Sequence, residues 1–405
     1  MRPSRLPESL MALRYRDFRL LTAGLSAAIT GWWMIIIAQG WLVLEMTDSA
    51  AWVATASAAL SLPFLVLGPF SGVVADRWYR KTLLVTTRMT IATVMLVEGL
   101  LIIAGLIELW QILLLGTLAG CAFAMDIPAR QSLIPDVVPE EAVPNAVAIG
   151  VSVTSLASVA GPIAGAAMLA LVGAGGCFVA NALGNLVLAL AILAMHIPRR
   201  TPTGDWDIFG DLANGFRFVA NSNVVSLLLL MALVTMIGTS AWRELAPVFV
   251  RDVFGSNEAG LGALHTAAGI GAVLAAGLLL WSATQEHRRV LYVMAAAISV
   301  LSVLGFVTSS VIQFGIVFAL INGFARQLTD AVGQTVLLLK TPEQFRGRVM
   351  SLWALLWGMQ PMGTFTAGMA SEVVGPRIAV GGLALVAGVF LLGVGLAKRS
   401  AWREF

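Results

Sequence analysis

A few charged residues interrupt long apolar stretches of the sequence, where charge is hardest to explain by packing alone. Glu98 lies deep in one stretch and has no basic residue one helical turn away. Asp126 and Arg130 are four residues apart, and so are Arg326 and Asp330. An ionised group at the centre of a bilayer is costly, so it usually faces a cavity and a partner.

Two interpretations of these charges remain open. Same-helix pairs such as Asp126–Arg130 and Arg326–Asp330 can neutralise each other and serve structure alone. Alternatively, the carboxylates, including Glu98, face a central cavity and hold a proton there, while the arginines hold an anionic substrate. The sequence does not decide which acid couples to protons.

A second charged motif stands at a tight turn. It consists of Gly72, Asp76, Arg77, Arg80 and Lys81. The acid can pair with the bases or lie at the positive end of a helix dipole, and either contact can form and break as a gate requires. A membrane anchor would need the bases alone, which leaves the glycine and the acid without a role.

The elements that carry these charges are apolar helices. The chain has 405 residues, of which 59% are hydrophobic and 12% are charged, so lipid is the expected solvent. The apolar runs are too long and too regular for barrel strands. Twelve runs are found, at 20–44, 51–75, 82–106, 109–135, 145–171, 174–195, 223–248, 257–281, 288–308, 310–339, 349–370 and 377–397. We therefore predict an all-α integral membrane protein with twelve transmembrane helices.

The basic residues predict the orientation. Most of the 25 Lys and Arg residues lie at the two ends of the chain and in alternate loops. Basic loops stay on the cytoplasmic side, so both termini are expected there, and the number of spans must be even. We predict a multi-pass protein of the inner (plasma) membrane.

The middle of the chain divides it into two halves. Residues 196–222 form the longest hydrophilic stretch and contain apolar residues at helical spacing, which predicts an amphipathic helix on the inner membrane face. We therefore expect a six-helix bundle at 1–195, a linker at 196–222 and a second six-helix bundle at 223–405.

A weak internal repeat supports this division. The segment that begins at Gln131 has Pro139 and Glu140 at the same spacing as Pro342 and Glu343 after Gln334. The offset is about half of the chain length, which indicates an ancient duplication of six helices.

The turn motif resembles the signature loop of the major facilitator superfamily, Gly-x-x-x-Asp-Arg-x-x-Arg-Arg/Lys, although Tyr79 replaces a glycine common there. Gly161, Pro162 and Gly165 resemble the Gly-Pro-x-x-Gly-Gly element of its drug:proton antiporters, with Ala166 in place of the last glycine. The same residues would also suit a kinked structural helix.

The segments 128–139 and 346–349 are similar to the branch that contains the enterobactin exporter and macrolide efflux proteins. The resemblance implies two six-helix bundles with pseudo-twofold symmetry, which is the major facilitator fold. It also implies alternating access and proton antiport. On this resemblance the exported small molecule is a siderophore or a hydrophobic drug-like compound, and its identity is beyond the sequence.

Further polar and aromatic residues could line the route, although most tryptophans in such chains serve packing or interfacial belts. These cavity candidates are Trp32, Gln39, Asn181 and Asn322. Arg243 and Glu244, at the outer end of the seventh run, form either an external gate or an interfacial pair.

Other classes of protein fit less well. The sequence has no Gly-Lys-Ser/Thr for ATP, no His-Glu-x-x-His and no Gly-x-Ser-x-Gly, and its three histidines are far apart. We expect no enzyme activity, no cofactor, no metal and no nucleic-acid partner, and a monomer that meets only substrate, protons and lipid. The alternatives that stay open are a proton-coupled uptake symporter, a membrane-embedded enzyme and a sensor.

The gate hypothesis makes a prediction for Asp76. Replacing Asp76 with Asn should slow turnover and leave folding intact, because it removes the charge of the latch and keeps the shape of the side chain. Transport and size-exclusion profiles of the purified variant measure the two effects. Unimpaired transport by Asp76→Asn would remove the latch from the account.

Overall fold

The structure is a computed structural model that describes residues 8–131, 133–197, 208–281 and 288–397. In this part of the chain every regular element is a helix, and no strand occurs. The helices are α1 (Arg16–Thr47), α2 (Ala50–Arg77), α3 (Arg80–Ile103), α4 (Leu109–Gln131), α5 (Ile134–Val137), α6 (Val143–Ala194), α7 (Ile208–Asn221), α8 (Asn223–Glu244), α9 (Ala246–Val248), α10 (Glu258–Trp281), α11 (Arg288–Thr308), α12 (Ile312–Lys340), α13 (Glu343–Val374) and α14 (Pro376–Ala397). Three short turns of 3₁₀ or π type lie between them, at Glu8–Arg14, Glu140–Ala142 and Phe249–Val253.

The prediction of an all-α membrane protein is confirmed. Among the described residues, nine stretches are long and apolar enough to cross a membrane. They are Arg16–Thr47, Ala50–Gly68, Arg80–Ile103, Leu109–Ile127, Glu140–Ala194, Asn223–Glu244, Glu258–Leu279, Arg288–Thr308 and Pro376–Val394. The helices α12 and α13, of 29 and 32 residues, are also long but are not among these nine stretches.

The longest helix, α6, covers two of the predicted apolar runs. It spans 52 residues, and its regular conformation is interrupted at Gly173, where φ is +74°. A residue with a side chain rarely adopts this left-handed conformation, which glycine adopts at little cost. The break lies where the sequence separates the run 145–171 from the run 174–195.

The chain divides into two compact units. One consists of Met1–Ala38 and Phe70–Asp205, and the other of Gln39–Pro69 and Trp206–Phe405. The last residues of α1 and most of α2 therefore belong with the helices of the carboxyl-terminal half. Residues 198–207 of the predicted linker lie outside the described part. The described part of the linker contains α7.

In the first unit, α6 approaches α1 through small residues. A Cβ atom placed on Gly161 would lie 2.6 Å from Cβ of Trp33, and one on Gly165 would lie 3.0 Å from Cα of Met34. Pro162 is buried between these glycines. This is how small residues bring membrane helices into close contact. The predicted antiporter-type element is therefore a helix-packing surface against α1.

In the second unit, α8 packs against α13 and α14, while α12 packs against α10 and α11. Buried apolar residues such as Leu228, Tyr292 and Trp353 fill the space between these helices. The helices α10 and α12 meet at Gly271 and Gly323, where any side chain would meet backbone atoms of the partner helix. This packing fixes the polar faces of α8, α12 and α13 relative to one another.

The close approach at Gly161 generates a prediction. Gly161→Ala should lower the free energy of unfolding by about 1–3 kcal/mol, because the new methyl group overpacks the contact with Trp33. Gly150→Ala in the same helix is the matched control, since a Cβ there meets nothing within 4 Å. Apparent melting temperatures of the two variants in detergent test this. Equal values would show that α1 shifts to accommodate the methyl group without loss of stability.

Candidate functional site

A buried ion pair joins α3 to α4 in the first unit. Arg88 is 4% exposed and Asp126 is fully buried. The Arg88 guanidinium donates from Nε to Asp126 Oδ1 at 2.8 Å and from Nη2 to Oδ2, in the bidentate geometry that suits a carboxylate. Its Nη1 donates to Oδ1 of Asn185 on α6 at 2.8 Å. One arginine therefore ties three helices together.

The predicted Asp126–Arg130 pair on α4 is present, but it is weaker than the contact between Asp126 and Arg88. Nε of Arg130 lies 3.4 Å from Asp126 Oδ2, a longer contact than the one from Arg88. The spacing of the sequence predicts Arg130 as the partner of Asp126, and it does not predict the contact with Arg88. Only the unusual presence of Arg88 inside an apolar run signals this, because contacts between helices are invisible to spacing along one helix.

Two of the predicted cavity residues lie beside this network. Asn185 donates from Nδ2 to Oδ1 of Asn181 at 2.9 Å, and both are fully buried. The ring of Trp32 meets that of Phe123 edge-on at 4.5 Å, and the Arg88 guanidinium lies over Phe123 at 5.8 Å. The network is thus closed off by side chains on its flanks.

Glu98, by contrast, is buried alone. It is 1% exposed, and neither carboxylate oxygen has a hydrogen-bond partner among the described residues. Its neighbour Gly99 lies against Gly175 of α6, where an added Cβ would be 3.0 Å from the Gly175 carbonyl oxygen. An ionised carboxylate without a donor is expensive in an apolar interior, so a group in this setting needs either a proton or another conformation.

The turn motif lies between α2 and α3. The side chains at positions 72–77, which include Gly72, Asp76 and Arg77, lie outside the described part. Arg80 pairs with Asp136 at 2.7 Å, and Lys81 donates to the carbonyl of Met195 at 2.7 Å. These contacts hold the start of α3 to α5 and to the end of α6.

A second charged cluster occupies the middle of α12 and α13 in the second unit. Nε of Arg326 lies 4.0 Å from Oδ2 of Asp330, and Nη2 of Arg326 donates to Oε1 of Gln360 at 2.9 Å. The side chains of Arg326 and Asp330 each keep 15% of their surface exposed. This partial exposure distinguishes them from Asp126 and Glu98, whose side chains are buried.

The proposed outer-gate residues meet this cluster. Arg243 interacts electrostatically with Arg326, Glu244 and Asp330. Glu244 accepts a hydrogen bond from the hydroxyl of Ser57 on α2 at 2.8 Å. Sequence spacing gives two separate pairs, Arg243 with Glu244 and Arg326 with Asp330. In the structure these two pairs form one cluster.

The remaining cavity candidates have structural contacts. Asn322 accepts from the Trp242 indole at 3.0 Å and donates to the hydroxyl of Ser302 at 3.1 Å. Gln39 donates to the carbonyl of Ala56 at 3.3 Å. Both side chains are buried, so they connect helices and leave little surface for a ligand.

A strap made of residues 39–69 is tied to the rest of the second unit by polar contacts. Arg251 contacts both Asp48 and Asp252, and the hydrogen bond to Asp252 raises the pKa of its guanidinium. Glu372 accepts from the hydroxyl of Ser49 at 2.6 Å and from the amide of Ala51 at 3.0 Å.

These hydrogen bonds hold the pKa of the Glu372 carboxyl below its ordinary value, with the Ser49 hydroxyl contributing most. A lowered pKa means that the contact is made at neutral pH and is lost as the pH falls through the folded-state value. Both ties are largely exposed, so each contributes little to stability.

Long apolar helices that carry a few paired or partly exposed charges define a polytopic membrane protein. Residues 8–402 match the transmembrane secretion effector family of the major facilitator superfamily, and the chain belongs to that family. The predicted family is therefore confirmed. Its characterised members are transporters, so the prediction that the chain is no enzyme is confirmed as well.

Several characterised relatives align with most of the chain. The staphyloferrin A transporter of Staphylococcus aureus is 23% identical over 349 residues, which cover 85% of this chain and 87% of the relative. Macrolide efflux protein A of Streptococcus pyogenes is 23% identical, with 82% and 83% covered. The enterobactin exporter EntS of Escherichia coli is 28% identical, with 76% and 74% covered.

The fold is also that of solved transporters. The crystal structure of the nucleoside transporter NupG superimposes with a TM-score of 0.77 over 93% of this chain and 99% of that chain. The two sequences are 12% identical, so the likeness concerns the fold alone. The chain is a multi-pass membrane protein with the helical fold of this superfamily.

The Arg88–Asp126 pair generates a prediction. Arg88→Met should lower the free energy of unfolding by about 3–5 kcal/mol, because a buried carboxylate then keeps only the longer contact with Arg130. The double variant Arg88→Met/Asp126→Leu should recover much of this loss, since it leaves no unpaired charge. Thermal unfolding in detergent measures both, and a single variant as stable as the double variant would contradict the pairing.

Proposed function

We propose that this chain is a secondary transporter that exports a small molecule by alternating access, in exchange for protons. The observation that carries the proposal is the partly exposed cluster of Arg243, Arg326, Asp330 and Gln360. Charged groups in membrane helices are expensive and are kept where water or cargo reaches them. Substrate sites of such transporters lie near the middle of the membrane, where α12 and α13 carry this cluster.

Glu98 is the proposed proton site. Asp126 contacts two arginines, Arg88 and Arg130, and Asp330 contacts one, Arg326. Glu98 has none among the described residues and lies in the other unit from the cluster. A buried acid without a donor favours its neutral form, and it can release its proton when a change of state brings it to water. Coupling would then act through conformation.

The direction of transport is proposed from the relatives and from the helix element at Gly161, Pro162 and Gly165. The element resembles that of antiporters that export drugs. Two of the relatives carry the words exporter or efflux in their names. A siderophore or a hydrophobic drug-like compound is the proposed class of cargo on this basis.

The proposed architecture has twelve spans in two six-helix bundles, 1–195 and 223–405, with α7 in the linker 196–222. The break at Gly173 would separate the fifth span from the sixth. The termini are proposed to be cytoplasmic in the plasma membrane, and the protein to be a monomer. A rocking motion of related bundles about a central site is how this architecture alternates access.

Two gates are proposed. On the cytoplasmic side, the turn with Asp76, Arg77 and its basic neighbours would latch in one state and release in the other. On the outer side, the Asp48–Arg251 ion pair would hold the strap to the second unit. Exposed ion pairs contribute little energy each, which suits contacts that must break in every cycle.

The proton hypothesis generates a prediction for Glu98. Glu98→Gln keeps the shape of the side chain but fixes it in a neutral form, so uphill export should cease while downhill exchange of substrate persists. Everted vesicles energised by a proton gradient measure both. The substrate is the compound whose secretion or toxicity differs between strains with and without the gene.

Glu140→Gln is the control. Glu140 is exposed in a short turn, so this variant should export at the wild-type level. Uphill export by Glu98→Gln at the wild-type level would remove Glu98 from the account. If uphill export survives an uncoupler that collapses the proton gradient, antiport itself is wrong. Accumulation of substrate in cells that express the gene would instead favour the uptake alternative.

A further inference from the structure

Two arginines of the second unit come together where α8 packs against α12. The Trp242 indole, next to Arg243, donates to Asn322, which lies one turn before Arg326. Arg243 at the end of α8 and Arg326 at the middle of α12 interact electrostatically as like charges. Repulsion between two cations is strong where little water surrounds them. A protein keeps such a pair close when an anion comes between them.

Glu244 and Asp330 attract Arg243 electrostatically, but among the described residues neither forms an ion pair or a hydrogen bond with it. Asp330 lies 4.0 Å from Nε of Arg326, the outer limit of an ion pair, and Glu244 accepts from Ser57 instead. Among the described residues, Arg243 makes no hydrogen bond and no ion pair. Its guanidinium instead lies over the ring of Trp242 at 5.9 Å.

This arrangement leaves guanidinium donors available on two side chains that are partly exposed. A guanidinium has five N–H donors in a planar fork that matches a carboxylate. Arg326 uses Nη2 for Gln360 and is 15% exposed, and Arg243 is partly exposed as well. His265 stacks on Trp242 at 6.5 Å and forms a buried wall behind Arg243.

We infer that Arg243 and Arg326 form a subsite for an acidic group of the exported molecule, so that the cargo class is a small organic anion. The inference rests on the proposed export function and adds the charge of its substrate. The acidic group accepts hydrogen bonds from both guanidinium groups, as a bidentate carboxylate does. Gln360, held by Arg326, lines the same subsite.

Asp330 competes with the incoming anion for the guanidinium of Arg326. In the empty site it partly neutralises Arg326 across 4.0 Å. An incoming anion takes over that contact, so the affinity is lower than two free arginines would give. Removing the charge of Asp330 should therefore strengthen anion binding, which a purely structural role of Asp330 would not do.

The test uses two dyes on one xanthene scaffold. Fluorescein is an anion with a carboxylate, and rhodamine 6G is a cation in which that carboxylate is an ester. Fluorescence anisotropy with purified protein measures the binding of each dye, and accumulation in energised everted vesicles measures its transport. Competition by unlabelled benzoate against benzamide checks that the acidic group is recognised.

Arg243→Gln and Arg326→Gln should each weaken fluorescein binding by roughly tenfold to a hundredfold, the value of one charged hydrogen-bonded contact. The corresponding lysine variants should recover part of the affinity. Asp330→Asn should bind fluorescein several times more tightly. Arg377→Gln is the matched control, because Arg377 donates to the Ser309 carbonyl away from the cluster. Melting temperatures show which variants fold.

The outcomes separate this inference from the proposed export function. Absence of fluorescein binding to the wild type, or equal affinity in all variants, would overturn the anion subsite. Accumulation of rhodamine 6G without fluorescein binding would also overturn it, while export would stand. Fluorescein that binds as predicted but is never accumulated would keep the subsite and count against export of such anions.

Discussion

The cost of placing charge in an apolar helix bundle is the constraint on which this structure depends. Each ionised side chain in a membrane helix needs a partner or a route to water. Arg88 and Asp126 meet this need with each other and with Asn185 and Arg130, and they thereby bind three helices into one unit. That cluster stabilises the fold.

The second unit meets the same constraint differently. The Arg326 and Asp330 side chains are each 15% exposed at the middle of α12, and Arg243 makes no hydrogen bond among the described residues. Stability alone would favour closing such a cluster or replacing it with apolar residues. Its retention in an open position fits a site where cargo completes the contacts. Glu98, sealed and without a described partner, suits a proton that must be taken up in one state and released in another.

Much of the fold can be predicted from the sequence, because apolar runs and basic loops are local patterns. The runs anticipate the helices closely, and the break at Gly173 falls between two of them. The sites are only partly predictable. Spacing along one helix identifies Asp126 with Arg130, but it cannot show that Arg88 is the stronger partner. It likewise separates Arg243 from Arg326, which helix packing brings together.

The central claim is that the cluster lies on a route that opens to each side of the membrane in turn. A single cysteine at Gln360, with Cys121 and Cys177 replaced, can be tested with a membrane-impermeant thiol reagent in right-side-out and everted vesicles. We expect the cysteine to be labelled from both sides of the membrane, and we expect a proton gradient to change the ratio of labelling from the two sides. Labelling from one side only under every condition, or from neither, would contradict it.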